Sequence, residues 1–210
     1  MNLPNAITVF RIVLAPVATY LILQPDASSR LLAMLVFLVA ALSDLVDGAL
    51  ARRRGEITNF GKLVDPIADK LLLVATVVPF YLIARENPDL GRMPIFGALG
   101  LWVLVVFFGR EIVVTWLRTR AARRGTVVPA MQSGKYKAFS QNVFIGSMIL
   151  WLAYRTDALT NGGAQRFGAW WDGFHGWFTT ISLAVALGFT IYSFVVYVAA
   201  FRGLAAEPTG

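Results

Sequence analysis

Four aspartates stand in an unusual setting. Asp44, Asp47, Asp65 and Asp69 fall within SDLVDGALARRRGEITNFGKLVDPIADKLLL, residues 43–73, between the apolar runs LLAMLVFLVAAL and LLLVATVVPFYLI. A carboxylate at membrane depth is costly, so it needs a partner, a water-filled cavity or a task. Asp44 and Asp47 are spaced i, i+3, and Asp65 and Asp69 i, i+4. At about 100° per helical residue each pair shares one face of its helix. Gly48 and Ala51 fall on the face of Asp44 and keep it small. Two consecutive helices can therefore bring four carboxylates into one pocket, where their mutual repulsion calls for protonation or for a hard cation. An all-oxygen donor set suits Mg²⁺ or Mn²⁺, and carboxylate pairs from two helices can hold two ions, as in-line phosphoryl displacement uses. The bland alternative is that these aspartates cap helices or pair with Arg52, Lys62 and Lys70.

The elements that must position them are apolar runs. Six can be marked by their breaks: 7–23, 31–51, 62–84, 95–117, 139–154 (with a start as early as Gly134) and 178–201. Residues 155–177, which contain TNGGAQRFGAWWDGFHGW, are Gly- and Trp-rich and read as an outer loop at the membrane interface, with His175 uninvolved in chemistry. Arg11 lies inside the first run and no small-residue cleavage site follows, so that run reads as a retained helix rather than a signal peptide.

The chain is 57% hydrophobic and 15% charged, with a mean hydropathy of +0.65. A spanning helix needs roughly 20 apolar residues, and the surplus is arranged in runs of that order. There is no cysteine, which excludes disulfides and thiolate-bound metals. The net charge of +7 fits cytoplasmic loops and anionic head groups better than nucleic acid. The links after the second and fourth runs carry Arg52, Arg53, Arg54 and Lys62, then Arg118, Arg120, Arg123, Arg124, Lys135 and Lys137. The opposite links carry half as many: Arg30, Arg85, Arg92, Arg155 and Arg166. The expectation is thus an all-α, polytopic membrane protein. Six transmembrane helices surround a polar pocket that faces the cytoplasm, residues 1–210 form one domain, and both termini are cytoplasmic.

The stretch DLVDGALARRRGEITNFGKLVDPIAD resembles the signature of the CDP-alcohol phosphatidyltransferases, D-x₂-D-G-x₂-A-R-x₈-G-x₃-D-x₃-D. It matches at every specified position: Asp44, Asp47, Gly48, Ala51, Arg52, Gly61, Asp65 and Asp69. The resemblance implies transfer of a phosphatidyl group from CDP-diacylglycerol to an alcohol, with release of CMP. It implies Asp44, Asp47, Asp65 and Asp69 as ligands of two Mg²⁺ (or Mn²⁺) ions, and Asp69 also as general base. Gly48, Ala51, Arg52 and Gly61 would line the CDP site, with Asn5 and Thr8 as weaker candidates beside Arg11. A homodimer in the cell membrane is also implied.

Three further stretches, NLPNAITVFRIVLAPV, VDPIADKLLL and REIVVTWLR...GTVVPAMQSGKYKAFSQ, resemble the branch of that family that makes phosphatidylglycerophosphate from sn-glycerol 3-phosphate. A phosphorylated acceptor needs cations, and Arg110, Arg118, Lys135 and Lys137 are available. Arg110 and Arg118 are about two turns apart and share a face. Arg120, Arg123 and Arg124 read as topology signals instead. Phosphatidylglycerol as acceptor (a cardiolipin synthase), inositol phosphate or serine are the alternatives within the family. Outside it, an ion or proton transporter could use intramembrane carboxylates, but would spread them through the membrane depth.

Overall fold

The computed structural model describes the backbone of residues 3–54, 59–123, 131–160 and 163–206; among these, the side chains of 3–5, 44–54, 59–63, 65, 66, 159, 160, 163–169 and 203–206 fall outside the described set. The regular elements of the described residues are all helices: α1 (Leu3–Leu23), α2 (Ala27–Arg54), α3 (Asn59–Glu86), α4 (Leu101–Arg123), α5 (Gln132–Thr160) and α6 (Gly163–Ala206). Three of them contain stretches long and apolar enough to cross a membrane, Ala6–Leu23, Ile67–Glu86 and Trp170–Arg202, and α2 adds a shorter apolar stretch, Ala27–Ser43.

Local chemistry explains the element boundaries. Asp26 stands immediately before α2 and accepts the Ser29 N–H at 2.7 Å, satisfying one of the donors that a helix N-terminus leaves unpaired. The fourth helix starts at Leu101 rather than Ile95 because residues 93–97 fold back on themselves. Met93 N–H donates to Gly97 O at 2.8 Å, and Gly97 N–H donates to Met93 O at 3.0 Å. Gly97 closes that turn at φ 64°, a conformation that side-chain-bearing residues avoid.

Where an outer loop was expected over 155–177, the described residues are helical. α5 continues to Thr160, and α6 is already helical from Gly163, giving a helix of 44 residues. Glycines lower helix propensity without stopping a helix whose side chains pack. Here they do: Trp170 stacks on Phe174 (5.5 Å, 8°) and Phe174 on Phe178 (6.2 Å, 21°), each pair one turn apart. Arg155 of α5 pairs with Asp172 of α6 at 3.1 Å, and His175 is buried between Trp151 and Trp171.

α1 packs on α2 and α3, α2 on α5, and α6 lies between α5 and α4. The centre is apolar and aromatic: Phe144 meets Phe80 (6.4 Å, 82°) and Phe107 (6.2 Å, 76°) edge-on, the arrangement ring quadrupoles favour. Buried hydroxyls and amides join the helices, as they do in lipid. Thr19 donates to the Ala75 carbonyl at 2.8 Å, Gln141 to Thr190 at 3.2 Å, and Ser147 and Ser182 meet at 2.9 Å. Many large apolar side chains are exposed, among them Leu35, Val105, Ile112, Phe139 and Ile181, as an acyl-chain solvent requires.

Candidate active site

Asp44 and Asp47 lie in α2, and Asp65 and Asp69 in α3. Of the sequence-derived site, the side chains of Asp44, Asp47, Gly48, Ala51, Arg52, Gly61, Asp65 and Asn5 lie outside the described residues. Asp69 is inside them. Its carboxylate is 59% exposed and accepts Arg11 Nη1 at 2.7 Å, while the Arg11 side chain is only 2% exposed. Arg11 is therefore no snorkelling residue. It is a buried cation of α1 that reaches across to α3, and Thr8, one turn earlier on α1, is buried as well. The signal for this was present in the sequence, since an arginine inside an apolar run must find a counter-charge.

Among the described residues no three His, Asp or Glu side chains gather as a metal site, Asp69 being the one signature aspartate whose side chain is described. Asp69 itself fits such a site. It is an open carboxylate, oriented by a buried arginine, on a helix that carries Asp65 one turn away, and hard divalent cations prefer oxygen donors of this kind.

A second polar cluster lies on the neighbouring helices. Lys70 of α3 donates to Thr115 Oγ1 of α4 at 2.8 Å. One turn before Thr115, Arg110 and Glu111 meet Lys137 of α5: Arg110 Nη1 and Lys137 Nζ both reach Glu111 Oε1, at 2.9 and 2.6 Å. Arg110 Nε donates to Ser193 Oγ of α6 at 3.1 Å. Arg110 and Arg118 do share a face, for both lie over the Tyr197 ring, at 5.4 and 4.7 Å from its centroid. Arg118 also donates to the Tyr197 hydroxyl, which accepts the Met131 N–H. Lys135 is exposed. Lys70 follows Asp69 in the chain, and its bond to Thr115 ties that stretch of α3 to α4 one turn from Glu111, so the aspartate and the cationic cluster lie on neighbouring stretches of the bundle.

Three of the four expected acceptor-site cations thus converge through Glu111 and Tyr197, two residues that the sequence reading had not assigned to the site. Arg120 instead lies over Trp116 at 5.2 Å, consistent with an interfacial role. Beside Arg110 a cavity of about 210 Å³ opens between α4 and α6, lined by Val105, Val106, Gly109, Val113, Thr190, Ile191 and Phe194. Apart from Arg110 and Thr190 its wall is apolar or glycine.

Comparison with known proteins bears on this arrangement. The family model described as CDP-alcohol phosphatidyltransferase matches residues 1–192. A Mycobacterium tuberculosis protein named "Probable phosphatidylglycerophosphate synthase" is 37% identical over 152 residues, 71% of this chain and 66% of its own length. A Bacillus subtilis protein named "CDP-diacylglycerol--glycerol-3-phosphate 3-phosphatidyltransferase" is 34% identical over 161 residues, 71% of this chain and 77% of its own. A Rickettsia typhi protein of the same name is 34% identical over 149 residues, covering 71% and 76%. The match to the mycobacterial protein thus spans just under two thirds of that protein.

Proposed function

The chain belongs to the CDP-alcohol phosphatidyltransferase family, and from that premise we propose that it transfers the phosphatidyl group of CDP-diacylglycerol to sn-glycerol 3-phosphate. The products would be phosphatidylglycerophosphate and CMP. Family and apolar helices together make it a membrane protein of phospholipid synthesis. The finer reading is six spans in one domain over residues 1–210, acting as a homodimer in the cell membrane with its site and both termini cytoplasmic.

The acceptor hydroxyl oxygen attacks the β-phosphorus of CDP-diacylglycerol, and the bond from that phosphorus to the oxygen of CMP breaks. Asp69 takes the hydroxyl proton; its exposure leaves it accessible to a substrate, and Arg11 fixes its direction. Asp44, Asp47, Asp65 and Asp69 would hold Mg²⁺ or Mn²⁺, probed as two ions. When bound, these supply polarisation of the phosphoryl oxygens and charge stabilisation of departing CMP. Gly48, Ala51, Arg52 and Gly61 would line the nucleotide side, with Asn5 and Thr8 as weaker candidates for it. Arg110, Arg118, Lys135 and Lys137 receive the acceptor phosphate. Arginine suits this because its planar fork donates two parallel hydrogen bonds to phosphate.

The observation that supports a phosphate-bearing acceptor is the set of cations on α4 and α5 beside the stretch of α3 that carries Asp69, and the names of the relatives favour glycerol 3-phosphate among such acceptors. Serine, with one carboxylate and no phosphate, would engage fewer of them. The test is CMP release by the purified protein in detergent micelles with CDP-diacylglycerol and Mg²⁺, offering glycerol 3-phosphate, phosphatidylglycerol, inositol phosphate or serine. Release is expected with glycerol 3-phosphate. It should be abolished by chelation, and Asp69→Asn should reduce it by about 10³-fold, the scale expected for loss of a general base that also binds metal. Metal-dependent release with phosphatidylglycerol alone would keep the chemistry and overturn the acceptor.

A further inference from the structure

The cations of the proposed acceptor pocket pose a physical problem. The side chains of Arg110 and Lys137 are 9% and 10% exposed. A buried cation with no counter-charge is strongly destabilising, and a lysine in that position sheds its proton. Before substrate arrives, no phosphate is present to compensate them. Glu111 is 16% exposed and supplies the missing charge: one of its oxygens accepts from both cations.

Hydrogen-bonding capacity is left over for a ligand as well. Lysine has three donors and arginine five. Among the described residues Glu111 and Ser193 engage one donor of Lys137 and two nitrogens of Arg110. The remaining Lys137 donors and the second terminal nitrogen of Arg110 have no protein partner there. α4 and α5 are held together mainly through α6, and the Lys137–Glu111 bond is the direct link that draws the two cations to one carboxylate.

We propose that Glu111 is a positioning residue for the acceptor phosphate: it keeps Arg110 and Lys137 paired across α4 and α5 before substrate binds, so that a phosphate monoester meets a preset two-cation receptor. The proposal rests on the glycerol 3-phosphate reading given above. Glu111 touches neither reacting atom, and its effect is therefore confined to the acceptor. The nucleotide-bearing substrate binds through other residues and is indifferent to it.

The experiment compares full-length wild type with Glu111→Gln and Glu111→Asp in the same micelle assay, fitting KM separately for each substrate. Glu111→Gln should raise the KM for glycerol 3-phosphate about tenfold, equivalent to ~1.4 kcal/mol, with the KM for CDP-diacylglycerol unchanged and kcat little affected. Glu111→Asp, which keeps the charge on a shorter stem, should recover part of the loss. Inhibition by inorganic phosphate, competitive with glycerol 3-phosphate, should weaken in parallel, and it can be read in Glu111→Asp alone if the Gln variant fails to fold. A glycerol 3-phosphate KM that stays at the wild-type value, falls, or rises together with that of CDP-diacylglycerol overturns the proposal. Wild-type protein that releases no CMP with glycerol 3-phosphate sinks the acceptor reading, and this inference with it. An active wild type with an indifferent Gln variant sinks the inference alone.

Discussion

Arg30 and Arg110 are both arginines buried among helices, at opposite ends of the bundle, and they are satisfied in different ways. Arg30 is 4% exposed and donates to the Ile22 carbonyl at 3.3 Å, the Leu152 carbonyl at 3.3 Å and the Thr156 hydroxyl. All three acceptors are neutral and belong to the fold. The Ile22 carbonyl is one of the last of α1, where a helix leaves acceptors unpaired and a cation is favoured. Arg110 is satisfied instead by a carboxylate, a serine hydroxyl and an aromatic face. The difference is instructive. A carbonyl cannot be exchanged for substrate without breaking structure, whereas a site already built around an anion admits another anion at little structural cost. A hollow of about 340 Å³ adjoins Arg30, with Glu86 and Asp89 on its rim, so space beside an arginine does not by itself mark a phosphate site.

The sharpest way to break this comparison is to remove each guanidinium and ask which quantity moves. Arg110→Gln should raise the KM for glycerol 3-phosphate by about 100-fold, ~2.7 kcal/mol, the scale of losing one partner of a buried charge-assisted contact. Its melting temperature in detergent should stay near that of wild type, because Lys137 still compensates Glu111. If stability collapsed and the KM of the remaining folded protein held, Arg110 would be a rivet like Arg30.

Arg30→Gln should do the reverse. Loss of hydrogen bonds from a charged donor to buried acceptors costs about 2–3 kcal/mol of stability, seen as a lower melting temperature by tryptophan fluorescence. Turnover per folded molecule should be unchanged for both substrates. A raised KM with wild-type stability would place function at this end of the molecule too.

How much of this contrast the sequence disclosed follows from the range of each signal. The apolar runs anticipated the order of the helices among the described residues, three of which contain stretches long and apolar enough to cross a membrane. The eight-residue aspartate signature pointed to the family, because its residue types recur at fixed intervals along two helices. Boundaries set by packing were not visible. The Gly- and Trp-rich segment before α6 reads as loop until Trp170, Phe174 and Phe178 are seen stacked one turn apart. Partners distant in the chain were equally hidden. Arg110 has Glu111 as its immediate neighbour, which reads as a self-contained pair. That Lys137, 26 residues on, shares the same oxygen depends on how α4 and α5 are set side by side. Arg11 and Asp69, 58 residues apart, were each legible as a charge in an apolar run but not as a pair.

The smallest expected effect sharpens the comparison at the Arg30 end, where charge serves only the fold. The Ser29 N–H and hydroxyl hold the Asp26 carboxyl below its ordinary value of 3.8, with Arg30 contributing in the same direction. A carboxylate whose pKa is depressed on folding adds stability that is present above the unfolded value and is lost as pH falls through the folded one. Asp26→Ala should therefore lower the melting temperature slightly at neutral pH, by about 2 °C for loss of one exposed helix cap, without touching either KM. As pH falls from 3.8 through the lower folded value, the wild-type carboxyl itself becomes protonated, and the two melting curves should converge. A gap that persisted in acid would mean that Asp26 works through its shape rather than its charge. The electrostatic account of this end of the bundle would then rest on Arg30 alone.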